Sequence, residues 1–151
     1  MVRIAVVEDS IADWTTLSDH LDRYGKTKSE KFSISRFPDG MDFISDYKMD
    51  FDIILMDIDM PHMNGLDTAR RLRQVDEGVA LIFITNLAQY AINGYEVRAL
   101  DFIVKPVEYR ELEYKLNRAL LYCRRHGEDA LTLESAGVAR RVPLRTIYYV
   151  E

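Results

Sequence analysis

The sequence has almost no cysteine and no long apolar run, and each absence excludes a class of protein. Cys123 is the only cysteine among the 151 residues, so neither a disulfide within the chain nor a cysteine-based metal cluster can form. No apolar run approaches the ~20 residues that a membrane-spanning helix needs. The first residues, MVRIAVVEDS, lead directly into an alternating apolar stretch without a signal-peptide pattern. We therefore expect a cytoplasmic protein that does not associate with membranes.

The remaining composition fits a single folded domain. Hydrophobic residues make up 48% of the chain and charged residues 30%, and the formal net charge is −5. This apolar content is sufficient for one compact domain with a sizeable core and a small appendage. The negative charge argues against nonspecific binding of nucleic acid by the chain as a whole.

Apolar segments alternate with helix-like segments along the first 124 residues. Most apolar segments are nearly continuous, as expected of strands covered on both faces, and the predicted strands are 2–7, 32–37, 51–56, 79–85 and 101–105. Helical spacing predicts helices near 10–24, 40–48, 65–76, 87–95 and 107–124. Gly25 is a plausible end of the first helix, and the inward stripe of the last contains Leu112, Leu116, Leu120 and Leu121. Strict alternation predicts an α/β fold, a doubly wound five-stranded parallel sheet with helices on both faces.

The pattern changes after the basic segment 124–127. The pieces ALTLES, GVARRVPL and TIYYVE are short and strand-like. A few such strands cannot bury enough apolar surface to form a domain of their own. We therefore predict a first domain over 1–123, a linker over 124–129, and a short C-terminal β segment over 130–151 that begins a second, incomplete domain.

Charged and polar residues follow the predicted strands, notably in the segment FDIILMDIDMPHMNG. An isolated charge at the end of a buried strand is unfavourable. In open parallel sheets, however, the carboxyl ends of the strands form a common ligand-binding crevice. The residues expected there are Glu8, Asp9, Asp57, Thr85, Asn86, Lys105 and Pro106.

The chemistry of this set points to a phosphoryl group. Three carboxylates, Glu8, Asp9 and Asp57, would repel one another unless a hard divalent cation such as Mg²⁺ lay between them. Lys105 would add a positive charge and Thr85 a hydroxyl. Such a site can neutralise phosphoryl oxygens while an aspartate serves as the acceptor.

The same residues, in the same order, resemble the receiver domain of two-component response regulators, which has a flavodoxin-like fold. The resemblance covers residues 1 to about 122 and includes the segment Asp-x-x-Met-Pro-x-Met-Asn-Gly after the third strand. It implies a phosphorylation-dependent signalling switch rather than an enzyme, with a sensor histidine kinase as partner. By resemblance, Asp57 is the phosphoacceptor, and Glu8, Asp9, Asp57 and the backbone carbonyl of Asp59 hold the magnesium ion.

The resemblance also implies a set of switch residues. Thr85 is the switch hydroxyl and Lys105 contacts the phosphate. Phe102 occupies the aromatic switch position, three residues before Lys105, and has no phenolic hydroxyl, so a switch there would depend on packing. The Lys105–Pro106 bond is a candidate cis peptide.

Surfaces for partners are implied in the same way. In this family, the fourth helix, the fifth strand and the fifth helix, here predicted at 87–95, 101–105 and 107–124, commonly form a face that dimerises on phosphorylation. The residues of that face here include Tyr90, Tyr95, Arg98, Asp101, Arg118 and Tyr122. We expect a homodimer on phosphorylation. Trp14 on the first helix either packs with the core or forms an aromatic anchor for the docking kinase.

A narrower resemblance concerns the output. The segment AINGYEVRALDFIVKPV and the tail RRVPLRTIYYVE are similar to response regulators that carry a LytTR-type DNA-binding domain. This implies transcription regulation, with DNA contacted only through a C-terminal domain missing from this sequence.

Two other functions stay open. The chain could be a stand-alone receiver that acts only through protein contacts. Alternatively, Asp57-Ile58-Asp59 superficially matches the Asp-x-Asp motif of haloacid-dehalogenase-like phosphatases, although those enzymes carry it after their first strand and need a larger fold.

Overall fold

The structure, a computed structural model, describes residues 1–128, 130–132 and 141–143. Its main sheet consists of β1 (Val2–Val7), β2 (Phe32–Phe37), β3 (Ile53–Met56), β4 (Ala80–Thr85) and β5 (Asp101–Val104). All four pairings are parallel, and the strand order is β2-β1-β3-β4-β5. The chain therefore winds outward in both directions from β1 and β3. The predicted α/β, doubly wound, five-stranded fold is confirmed.

The connections between these strands are helical. The helices are α1 (Ile11–Lys28), α2 (Gly40–Ser45), α3 (Gly65–Val75) and α4 (Tyr109–Glu128), and a 3₁₀ segment covers Ala88–Val97. Side chains of Ser10, Asp39 and Asn64 accept backbone N–H groups three residues further on and so cap the first three helices. In the described part of the chain, no helix is both long and apolar enough to cross a bilayer.

Gly25 does not end the first helix, so this prediction was wrong. The helix continues to Lys28, and Ser29 takes the left-handed conformation, with φ of 54°, that usually ends a helix. The backbone N–H groups of Ser29 and Glu30 both donate to the Gly25 carbonyl. A Cβ at position 25 would lie 3.0 Å from the Glu30 carbonyl oxygen. The glycine therefore permits the returning chain to approach closely.

The core has one apolar layer on each face of the sheet. Alternate residues of β1 face opposite layers, with Ile4 packing toward α1 and α4 and Ala5 packing toward α2 and α3. The helix residues of the first layer include Leu17, Leu21, Leu112, Leu116 and Leu120. Leu121 is 47% exposed, contrary to its predicted inward position, because it points about 100° away from Leu120 around the helix.

The last turns of α4 reach the amino ends of the strands, here called the amino edge of the sheet. The Tyr122 hydroxyl donates to the carbonyl of Gly78, just before β4. The Cys123 thiol donates to the carbonyl of Asp52, just before β3. The helix is thereby fixed to the amino edge.

The predicted C-terminal β segment is described only in part. Its two strands are β6 (Ala130–Thr132) and β7 (Arg141–Pro143), which pair antiparallel with Leu131 opposite Val142. The predictions that concern 133–140 and 144–151 lie outside the described residues.

Candidate functional site

An acidic cluster lies at the carboxyl ends of the central strands, here called the carboxyl edge. The N–H of Glu8 donates to the Phe37 carbonyl and that of Asp57 to the Val7 carbonyl, which fixes both residues beside their neighbouring strands. Carboxylate oxygens of Glu8, Asp9 and Asp57 lie within 4.8 Å of one another. Glu8 and Asp57 are buried and Asp9 is exposed. The three side chains that the sequence predicted to meet are thus brought together.

The loop after Asp57 is compact because of a glycine. The Asp57 carboxylate accepts the backbone N–H of Asp59 through Oδ1 at 3.2 Å. Gly65 donates its N–H to the Ile58 carbonyl as α3 begins. A Cβ at position 65 would lie only 2.1 Å from the Asp57 carbonyl oxygen, so a side chain there would displace the Asp57 backbone. The Asp59 side chain is exposed, and the role of its carbonyl stays a prediction.

Lys105 inserts its ammonium group into the acidic cluster. The Nζ atom lies 2.7 Å from Glu8 Oε1, 2.7 Å from Asp13 Oδ2 and 3.1 Å from Asp57 Oδ2. The lysine side chain is only 6% exposed. The peptide bond between Lys105 and Pro106 is cis.

Asp13 is a site residue that the sequence analysis missed. It lies in the first turn of α1, and the Ser10 hydroxyl oxygen accepts its backbone N–H. The signal available in the sequence was its position just after the acidic pair, in a helix that begins at the carboxyl edge. Its contact with Lys105 joins residues that are 92 positions apart, which no local pattern encodes.

The electrostatics of the cluster favour binding of a cation. Burial raises the pKa of Glu8 to about 7. The hydrogen bond from Lys105 lowers this pKa, and the negative charge of Asp57 raises it further. Burial alone would lower the pKa of Lys105, but its contacts with Asp13, Glu8 and Asp57 outweigh burial and raise it. With four carboxylates, counting Asp9, against one ammonium, the formal charge is −3.

This donor set matches the preference of Mg²⁺, which binds carboxylate and carbonyl oxygen. The available ligands, Glu8, Asp9 and Asp57, offer only oxygen. A hard divalent cation would offset the excess negative charge. The residues therefore fit magnesium.

The predicted switch residues flank the lysine. Thr85 is fully buried at the end of β4, and its hydroxyl oxygen accepts the N–H of Leu87 at 3.3 Å. The Lys105 N–H donates to the Thr85 carbonyl, so the ends of β4 and β5 are held side by side. The Phe102 ring is half-buried, with its centroid 6.5 Å from that of Phe83.

Trp14 lies between the core and the acidic cluster. It is half-buried and packs against the layer under α1 and α4. The Arg36 guanidinium lies 5.9 Å from the centre of its indole ring and donates to the carbonyls of Glu8 and Asp9. The contact with the core is therefore present, and a role in kinase docking stays a prediction.

The residues of the predicted dimer face differ in their surroundings. Tyr95 is 87% exposed, and Arg98 is exposed as well. Asp101 forms ion pairs within the chain, at 2.6 Å with Arg118 and 3.3 Å with Lys115.

The two remaining tyrosines of that face are partly buried. Tyr90 packs against the layer under α2 and α3. Tyr122 stacks on His126, with ring centroids 3.9 Å apart, while its hydroxyl is held at the amino edge. The exposed members of the predicted face are thus Tyr95, Arg98 and Arg118, of which Arg118 pairs with Asp101.

Comparison with known sequences gives one family. The response regulator receiver domain family matches residues 4–117. Sensory transduction protein LytT of Bacillus subtilis is 28% identical over 120 residues, which are 78% of this chain and 48% of LytT. Sensory transduction protein LytR of Staphylococcus saprophyticus is 30% identical over 89 residues, 57% of this chain and 35% of LytR. The chain therefore spans half or less of the length of these relatives.

Solved structures agree with this assignment. The response regulatory domain of mrkE from Klebsiella pneumoniae has a TM-score of 0.71 at 24% identity, and the match covers 82% of this chain and 99% of the mrkE domain. This similarity supports the fold. The receiver domain of sensor histidine kinase PA1611 from Pseudomonas aeruginosa has a TM-score of 0.67 at 25% identity. The match covers 79% of this chain and 97% of the PA1611 domain. The PA1611 structure has a magnesium ion coordinated in its active-site cleft. Sequence and fold together show that this chain belongs to the response regulator receiver domain family.

Proposed function

We propose that this receiver accepts a phosphoryl group on Asp57 from a sensor histidine kinase, with Mg²⁺ bound by Glu8, Asp9 and Asp57. The observation that carries the proposal is the position of Asp57. Its carboxylate is 5% exposed, lies 3.1 Å from the Lys105 ammonium, and belongs to the acidic cluster. This combination supplies an acceptor oxygen, a positive charge from Lys105 beside it, and neighbouring carboxylates that can hold a cation.

Each residue of the site has a distinct task in the proposed transfer. An oxygen of Asp57 attacks phosphorus, forming an O–P bond as the bond from phosphorus to the donor breaks. Lys105 neutralises charge on the phosphoryl oxygens, and the Thr85 hydroxyl donates a hydrogen bond to one of them. When bound, magnesium supplies further positive charge at the same oxygens. The backbone N–H of Asp59, already bonded to Asp57 Oδ1, fixes the orientation of the carboxylate.

We further propose that the phosphorylated receiver controls a LytTR-type, transcription-regulating output. The support is the likeness to LytT, to LytR, and to transcriptional regulatory protein LytR of Staphylococcus aureus, which is 32% identical over 68 residues. DNA contacts would belong to the output domain and not to the receiver. Homodimerisation on phosphorylation would use the exposed Tyr95 and Arg98.

The decisive experiment is phosphorylation by a small donor. With Mg²⁺ and acetyl phosphate, the wild-type chain should gain the mass of one phosphoryl group, and Asp57→Asn should gain none. Asp59→Asn is the matched control, since it changes a neighbouring exposed carboxylate and keeps the backbone carbonyl. It should be phosphorylated at about the wild-type level.

Two outcomes would contradict the proposal. An Asp57→Asn protein that still gained the phosphoryl mass would place the acceptor elsewhere. Rapid multiple turnover of the donor, with inorganic phosphate released and no adduct, would instead favour the phosphatase alternative.

A further inference from the structure

The surroundings of Lys105 include one carboxylate that the proposed function does not use. A lysine ammonium has three N–H donors. Three carboxylates, those of Glu8, Asp13 and Asp57, lie within 3.1 Å of Nζ. Glu8 and Asp57 belong to the oxygen cluster that can hold a cation, whereas Asp13 does not.

We infer that Asp13 is a positioning residue, which holds the Lys105 ammonium beside Asp57 during phosphoryl transfer. This inference rests on the proposed function. A cation held by Glu8 and Asp57 would take up part of the negative charge that those residues otherwise share with Lys105. Asp13 is then the ammonium's remaining carboxylate partner outside the metal site.

The local structure makes Asp13 suitable for this role. Its backbone N–H is bonded to the Ser10 hydroxyl at the start of α1, which fixes the first turn relative to the acidic pair. The Asp13 side chain is 41% exposed, so its contact with Lys105 removes little of its hydration. Lysine has a flexible four-carbon side chain and a compact charge, and a fixed partner restricts where that charge lies.

Loss of this partner has a predictable consequence. Without Asp13, one donor of the ammonium loses its acceptor, and the side chain recovers rotameric freedom. A displacement of about 1 Å in a group that contacts the transferring phosphoryl can slow a reaction by as much as ~100-fold. Because Glu8 still contacts Lys105, we expect a smaller loss of about tenfold.

A purely electrostatic role for Asp13 predicts the opposite result. Its negative charge lies close to the acceptor and would repel an anionic phosphodonor. If repulsion dominated, removing the charge would speed phosphorylation, and Asp13→Asn and Asp13→Ala would act alike. If positioning dominates, Asn retains an oxygen acceptor for Lys105 and should preserve most of the rate.

The test compares phosphorylation rates at saturating Mg²⁺ with acetyl phosphate, followed by intact mass. Asp13→Ala should react about tenfold more slowly, which corresponds to ~1.4 kcal/mol of activation free energy. Asp13→Asn should stay within about threefold of the wild type. Asp19→Asn is the matched control, because it removes the same charge from an exposed position of α1, and it should react normally.

Magnesium affinity, measured by calorimetry on the same proteins, separates positioning from metal binding. It should change by less than about threefold in both Asp13 variants. A loss of tenfold or more in either variant would show that Asp13 is a metal ligand and would overturn the inference.

The reaction rates separate the two proposals from each other. A wild-type chain that forms no adduct would refute the proposed function itself. A wild type that reacts while Asp13→Ala reacts equally fast or faster would refute only the role of Asp13, as would equal slowing by Asn and Ala.

Discussion

Replacing Lys105 with methionine should strongly destabilise the metal-free protein. Methionine keeps an unbranched side chain and removes the ammonium. Glu8 and Asp57, which are 2% and 5% exposed, would then lose the positive charge that both contact. Removing one partner of a buried ion pair typically costs about 3–5 kcal/mol. For a chain of 151 residues, each kcal/mol shifts the melting temperature by roughly 2–4 °C, so we expect a decrease of roughly 10 °C.

The assay is thermal unfolding followed by circular dichroism, with EDTA or with Mg²⁺. The decrease in melting temperature caused by Lys105→Met should be largest in EDTA at pH 8, where Glu8 is ionised. It should shrink at pH 6, below the raised pKa of about 7, because Glu8 binds a proton there in the folded state. Magnesium should restore part of the stability by replacing the missing positive charge.

Lys26→Met is the matched control for this substitution. Lys26 pairs with Asp22 at 3.0 Å, but its side chain is 78% exposed, and exposed pairs contribute at most about 1 kcal/mol. If Lys105→Met in EDTA at pH 8 melted within about 2 °C of the wild type, the reasoning would be refuted. The buried carboxylates would then not depend on the ammonium.

Three further predictions concern pH, charge and assembly. Because the pKa of Glu8 is raised in the folded state, the metal-free protein keeps the full stability contribution of Glu8 below pH 4.5 and loses it as the pH rises through about 7. Between these pH values, the free energy of unfolding of Glu8→Gln, measured in urea, should rise by roughly 3 kcal/mol relative to that of the wild type. A difference between the two proteins that did not change with pH would contradict this prediction. Asp57→Ala should leave metal-free stability equal or higher, because it removes one charge from a like-charged cluster, and a clearly lower melting temperature would contradict this. Beryllium fluoride, a phosphoryl mimic, should shift the wild type toward dimer in sedimentation experiments, with a weaker shift for Tyr95→Ser; an identical monomer fraction with and without the mimic would refute the predicted dimer.

The sequence was sufficient to place the main residues of the site because a parallel sheet brings its strand ends together. Glu8, Asp57 and Lys105 each follow an apolar strand, and strict alternation of strands and helices implies that the three ends share one edge. The order of the strands and their pairing partners came from the structure. Residues whose position depends on the backbone alone were therefore predictable.

The contact between Asp13 and Lys105 was not predictable, because it does not depend on the backbone alone. The position of Asp13 on α1 follows from helical periodicity, but its contact with Lys105 depends on the reach of a long side chain across 92 positions of sequence. The same limit applies to Leu121, since a stripe of leucines does not reveal which of two adjacent ones faces the sheet.

The segment 88–97 shows another limit of pattern reading. Its apolar residues fit a helix, and the structure forms a 3₁₀ helix there. Turns of three and of 3.6 residues both place positions i and i+3 near each other, so a short apolar pattern does not separate them. Leu87 provides no side-chain cap, in contrast to Ser10 on α1.

The attachment of α4 to the amino edge sets the distance that the proposed phosphorylation signal would have to cross. Tyr122 and Cys123 fix the last turns of this helix beside Gly78 and Asp52, which precede their strands, whereas Asp57 follows β3. At ~3.3 Å per residue, the path along β3 from Asp52 to Asp57 measures about 17 Å. The end of α4 and the Asp57 carboxylate thus lie at opposite edges of the sheet. Chemistry at one edge can influence the other only by relaying a rearrangement through the intervening protein.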